Sequence, residues 1–110
     1  MTYKEVNTMI AGFGLPYAYN EFPQGTETAP PFICFLFQDG SDDLMADNTN
    51  YTKIRPLAIE LYTDNKDFAT EETIEAALTS AGLAFQRSEV YIASERMYQI
   101  NYITEVTING

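Results

Sequence analysis

The side chains best suited to chemistry in this chain are carboxylates: sixteen Asp and Glu stand against six Lys and Arg, with no histidine and one cysteine. The absence of histidine removes the commonest general base and a usual metal ligand near neutral pH. Cys34 lies within Phe32-Ile33-Cys34-Phe35-Leu36-Phe37. A nucleophilic thiol needs an accessible, electropositive setting, so this one reads as a small core hydrophobe. Paired acids can divide acid and base roles when their surroundings separate their pKa values, but the acids here fall on expected loops and helix surfaces, where solvation treats them alike. The densest stretch, Asp39-Gly40-Ser41-Asp42-Asp43-Leu44-Met45-Ala46-Asp47-Asn48, superficially suits a divalent cation. It lacks the EF-hand order of alternating Asp or Asn, a glycine and a distal Glu, and a solvated loop is the plainer account. Gly12 and Gly14 flank Phe13 at the end of an expected helix rather than opening one, so no phosphate cradle is formed. No catalytic residue, metal ligand or cofactor is expected. The eight Tyr and seven Phe have no interleaved cations, which favours a core or protein-interface role over base stacking.

The elements follow from the spacing of apolar residues. Val6, Met9, Ile10 and Phe13 recur at helical intervals behind Thr2 and Glu5, a capping-box pair, which predicts a helix from about Tyr3 to Phe13 that ends at Gly14 and Pro16. Ile74, Ala77, Leu78 and Ala81 predict a second helix, with Thr70 as N-cap, Glu71 and Glu72 at the positive end of its dipole and Gly82 as its stop. Strands are expected over Tyr17–Phe22, Phe32–Phe37, Lys53–Thr63, Phe85–Ile92 and Met97–Ile108, with a turn at Ser94 and Glu95. In the Lys53 strand the apolar parity changes at Pro56, from Ile54 to Leu57, Ile59 and Leu61, which predicts a bulge or an edge position. The order of elements implies an α+β domain: an antiparallel sheet of about five strands with two helices packed on one face.

Two features of these strands point towards assembly. The last one places Tyr98, Ile100, Tyr102, Val106 and Ile108 on one side and Gln99, Asn101, Glu105 and Thr107 on the other. It runs to about twice the usual 5 to 6 residues, so surplus edge or face must find a partner. The Phe32 strand is apolar on both faces, and either a curled sheet or a neighbouring protomer must cover the face that the helices leave. Outward-facing Gln99, Asn101 and Ile103 are thus candidates for an assembly face. In the stretch Asp39–Asn50, Leu44 and Met45 are candidate apolar anchors among orienting carboxylates, Asp39, Asp42, Asp43 and Asp47.

At 110 residues the chain suits one domain, residues 1–110, with a single core. A formal charge of -10 argues against gripping phosphates, although an acidic wall lets a duplex pass without sticking; solubility is the plainer reason. A lone cysteine permits no internal disulfide and fits synthesis in the cytoplasm. The N-terminal residues show no basic stretch leading into an apolar run, and the longest apolar run, Phe32 to Phe37, is far too short for a membrane span.

The stretch Glu60-Leu61-Tyr62-Thr63-Asp64-Asn65-Lys66-Asp67, followed by Glu72, Ile74-Glu75, Glu89, Tyr91-Ile92, Glu95 and Met97-Tyr98-Gln99-Ile100-Asn101-Tyr102, resembles small tail-completion proteins of long-tailed phages and prophages of Gram-positive bacteria. Tyr17-Ala18-Tyr19, Phe22-Pro23, Pro30-Pro31-Phe32-Ile33 and Ala46-Asp47-Asn48 fit the same pattern, so the resemblance spans nearly the whole chain. It rests on order and spacing rather than on any single diagnostic motif. The resemblance implies a tail terminator or head-to-tail joining protein, made in the host cytoplasm and carried in the virion tail. It implies a homohexameric ring, assembled on the tail from chains that can be monomeric when isolated, whose partners are the tail tube protein and the head-completion connector. DNA would pass through the ring without specific binding, and neither catalysis nor a membrane would be involved. Two other classes compete: an acidic DNA-mimic inhibitor, which needs carboxylates spaced along one extended face, and a small acid-base enzyme, which needs a convergent polar set.

Overall fold

The computed structural model describes residues 1–25, 28–38 and 52–109. Thr2 accepts the Glu5 N–H at 3.1 Å while Glu5 accepts the Thr2 N–H at 2.8 Å. This reciprocal cap opens helix α1, Tyr3–Ala11. Helix α2, Phe68–Ser80, is capped by Asp67, which accepts the Thr70 N–H and hydroxyl. The cap is therefore Asp67, not Thr70: a carboxylate three residues upstream competes better for the free N–H groups of the first turn. Gly82, with φ +75, ends the helix as expected.

Strands β1 (Tyr17–Tyr19), β2 (Phe32–Phe37), β3 (Thr52–Thr63), β4 (Phe85–Ile92) and β5 (Met97–Asn109) form one sheet in the order β1-β2-β3-β5-β4. The α+β architecture is as expected, but the sheet is mixed, because β1 runs parallel to β2. Asn20, at φ 67, ends β1 three residues before Pro23; Asn tolerates this left-handed backbone better than most side chains. Residues 20–31 then supply the dozen or so residues that a parallel connection needs.

Strands β3 and β5 pair without interruption from Thr52↔Asn109 to Thr63↔Tyr98, so Pro56 causes no bulge. Its carbonyl accepts the Gln38 N–H at 2.9 Å. Within a strand a residue's N–H and C=O point the same way, so the proline nitrogen lies on the β2 side, just past the last β2 pair, Phe37↔Leu57. The edge reading of Pro56 holds there. Ile54 is simply an apolar residue on the opposite face, 39% exposed.

Val6 and Ile10 of α1, together with Ile74 and Leu78 of α2, pack on Ile33, Phe35, Leu57, Ile59, Leu61, Ile100, Tyr102, Val106 and Ile108. In the observed register all these strand residues share one face, so both helices lie on that face and, among the described residues, the other carries no helix. The long β5 does not present a free edge along its length. β3 flanks it throughout, β4 pairs with it from Met97 to Thr104, and past β4 the Met1 carbonyl accepts the Asn109 N–H at 2.9 Å. What β5 leaves unpartnered is a face.

Candidate assembly surfaces

The helix-free face is read row by row across the strands. Phe32, Tyr62, Gln99 and Val90 form one row; Cys34, Glu60, Asn101 and Ser88 the next; Leu36, Ala58, Ile103 and Gln86 the third. Apart from Glu60 the β2–β3 half is apolar, whereas the β5–β4 half mixes polar residues with Val90 and Ile103. Phe32 stacks on Tyr62 at 4.9 Å, and Phe22, from the segment after β1, meets Phe32 edge-on at 5.4 Å. Asn20, Glu21, Phe22 and Thr28 of that segment also enclose a hollow with Cys34 and Tyr62. Leu36 and Ile103 flank Ala58 closely enough to leave it 3% exposed. The expected outward residues Gln99, Asn101 and Ile103 are all on this face and half-buried. Gln99 donates to Asn101 at 2.9 Å, and Asn101 donates to the Ser88 hydroxyl at 3.5 Å. Asp39, Asp42, Asp43, Leu44, Met45 and Asp47 lie outside the described residues.

Cys34 belongs to this face too, 6% exposed. Burial, reinforced by Glu60 and Glu21, pushes its thiol up to about 11. It is protonated at neutral pH, the reverse of an activated nucleophile. Tyr62 donates to Glu60 at 2.9 Å, and burial followed by that carboxylate raises its phenol well above the ordinary range.

On the helix face, a charged cluster joins α2 to β4. Glu71 has a side chain only 4% exposed; it bonds Lys66 at 2.6 Å and also Arg87. Glu89 takes Lys66 at 2.5 Å and Arg87 at 2.9 Å. Glu75 accepts the Tyr102 hydroxyl at 2.9 Å and lies 3.6 Å from Arg87. Burial opposes the charge on Lys66, but the hydrogen bonds to Glu71 and Glu89 outweigh it and hold the ammonium above its usual range. The bonds from Lys66 and then Arg87 hold Glu89 below the usual carboxylate range. Sequence reasoning placed Glu71 at the helix dipole and missed this cluster. The available signal was strand parity: Arg87 and Glu89 share a face of β4 with Phe85, so they turn inward under α2. A buried carboxylate with two cationic partners is the arrangement that makes its burial tolerable.

At the opposite side of the sheet lies an open groove of about 610 Å³, lined by Tyr3, Lys4 and Asn7 of α1, Tyr19 of β1, Phe35 and Phe37 of β2 and Arg55 of β3. Tyr3 meets Phe37 edge-on at 5.0 Å, Tyr19 meets Phe35 edge-on at 5.3 Å, and Arg55 sits 5.9 Å from the Phe37 ring centre. The Arg55 guanidinium donates to the Tyr3 hydroxyl at 3.2 Å, and the Tyr19 hydroxyl accepts the Phe37 N–H at 3.0 Å. The walls are aromatic and the charged lining is cationic. Among the described residues no group of three or more Cys, Asp or Glu is placed to hold a metal ion, and no helix is long and apolar enough to cross a membrane.

No family model and no curated protein matches the sequence. Among solved structures, a chain described as "Virion of native gene transfer agent (GTA) particle" shares the fold with a TM-score of 0.62, over 98% of this chain and 91% of that chain, at 20% identity. At that identity the likeness establishes a common fold.

Proposed function

We propose that the protein is a structural virion component that forms a ring at the head-proximal end of a phage tail, terminating the tube and joining it to the capsid connector. The observation that carries this reading is the near-complete fold match to a chain from a virion particle, reached independently of the sequence resemblance to tail-completion proteins. The work such a protein does is shape and association, not bond making. A sheet with one face clad in helices and the other without a helix among the described residues supplies both a stable core and a contact surface. In this reading Gln99, Asn101 and Ile103 belong to the face that meets other virion subunits. Asp39, Asp42, Asp43 and Asp47 orient Leu44 and Met45 on the tube subunit or an adjacent copy. The ring is a homohexamer, and a net charge of -10 lets the genome pass without adhering. The protein is made in the host cytoplasm and ends in the virion.

Deletion of the gene from a particle-producing strain tests the reading by electron microscopy. Tails of irregular length, or heads without attached tails, are expected. Normal particles from the deletion strain refute it.

A further inference from the structure

Two surfaces at opposite sides of the sheet complement one another. One is the aromatic groove over β1, β2 and β3, whose charged lining residues are Lys4 and Arg55. The other surrounds Phe68 in the first turn of α2, which is 66% exposed, the highest value among the described large apolar residues. Around Phe68, exposed Asp64 and Glu72 and half-buried Asp67 supply an acidic collar, while Glu71 is turned inward to Lys66 and Arg87. The collar's one cation, Lys66, lies 4.9 Å from the Phe68 ring and is neutralised by Glu71 and Glu89. An aromatic knob in an anionic collar thus stands opposite an aromatic socket with a cationic lining.

We propose that copies of this chain associate head to tail, with Phe68 of one protomer seated between Tyr3, Tyr19 and Phe37 of the next. The knob is carried by α2, whose charged cluster ties it to the β4 edge, and the socket is at the β1–β3 side, so the sheet order puts them at opposite ends of one layer. Different patches on the two partners make the contact heterologous, and such contacts close into rings or run on as filaments. A self-complementary contact would instead stop at two copies. The aromatic residue fills the socket, while Asp64 and Glu72 approach Lys4 at the rim, where charge sets orientation. This deepens the ring reading above, resting on its claim that copies associate, and names the surfaces that join them.

The test is disulfide trapping in protein carrying Cys34→Ala. Asn7→Cys and Ala69→Cys, the latter beside an intact Phe68, are placed in separate chains, mixed at the highest soluble concentration and oxidised with copper phenanthroline; the double variant is oxidised in particles. A heterologous contact brings positions 7 and 69 together but neither against itself, so the mixture should give about tenfold more linked dimer than either chain alone. Adding Lys4→Glu to the Asn7→Cys chain should suppress the link while circular dichroism shows an intact fold. Equal yields from mixture and single variants, or no link in either solution or particles, overturn the proposal. If tails are capped normally yet the pair never links, this interface fails and the tail role stands. Normal particles without the gene defeat the tail role and leave the trapping result unaffected.

Discussion

The two faces of the sheet share five strands but reach burial by different means. On the helix side, Ile100 and Tyr102 are fully buried because Val6, Ile10, Ile74 and Leu78 lie over the strands. On the other side, Ala58 and Cys34 are nearly as inaccessible with no helix above them among the described residues: Leu36 and Ile103 stand beside Ala58 in one row, and the segment after β1 lies over the Phe32 and Cys34 corner. The first face is held by packed helices, the second by cross-strand neighbours and one connecting segment. A residue of the second kind therefore tolerates change that the first does not, while remaining available to a partner. The strongest way to break this contrast is a matched pair on β5. Ile100→Asp would put a charge among fully buried side chains and should cost about 4 kcal/mol or more, a large share of a whole stability of about 5–15 kcal/mol. Ile103→Asp should cost about 1 kcal/mol or less and impair assembly instead. Thermal melts followed by circular dichroism decide it. Equal collapse of both variants would mean that the faces are not energetically distinct.

A smaller effect sharpens the picture within the helix face. Glu71→Ala leaves Lys66 and Arg87 facing one another with a carboxylate gone from between them. The partners are partly solvated, with side chains 23% and 33% exposed, so the cost should be about 2 kcal/mol rather than the larger sum for a wholly buried pair. Urea unfolding should show a lowered midpoint with an unchanged slope. A loss below about 0.5 kcal/mol would mean that the cluster is surface decoration.

The least of the expected effects concerns pH. Glu89 and Asp67 sit below their ordinary values in the folded chain, Glu89 because Lys66 and Arg87 bond it and Asp67 because the Thr70 hydroxyl and N–H do. As pH falls the unfolded chain takes up protons first. The stability from these groups is present above the ordinary carboxylate range, about 4, and lost as pH drops through their folded values. Lys66 is raised, so its share is full below its unfolded value of about 10.4 and lost as pH rises through the folded one. Lys66→Met should make the acid-side fall in melting temperature shallower. An unaltered acid limb would show that Glu89 gains nothing from Lys66.

The parts of the fold visible in the sequence were those governed by a single local rule. The Thr2 and Glu5 cap needs only adjacent residues, and the alternation of β5 needs only period two; both stand in the structure. The bulge at Pro56 did not appear, because parity in sequence cannot distinguish an extra residue from an apolar one that faces outward, as Ile54 does. The parallel sense of β1 depends on where the chain returns after residue 31, a choice made by tertiary packing. Of the surfaces, the positions of Gln99, Asn101 and Ile103 followed from alternation. The Tyr3, Tyr19 and Arg55 groove did not, since its walls come from four elements whose adjacency exists only after the sheet has formed.

The central place of β5 also has a temporal meaning. It is the last element in chain order yet lies between β3 and β4. The β4–β5 hairpin closes across Ala93–Arg96, whereas Thr63 reaches its partner Tyr98 only after α2 and β4 have been spanned. Loop-closure entropy therefore orders the events, local hairpin before distant ribbon. On a ribosome, β3 and β4 wait without their shared neighbour until β5 emerges. A half-made chain lacks the finished sheet, so β3 and β4 each keep an unpaired edge exposed until β5 has been made.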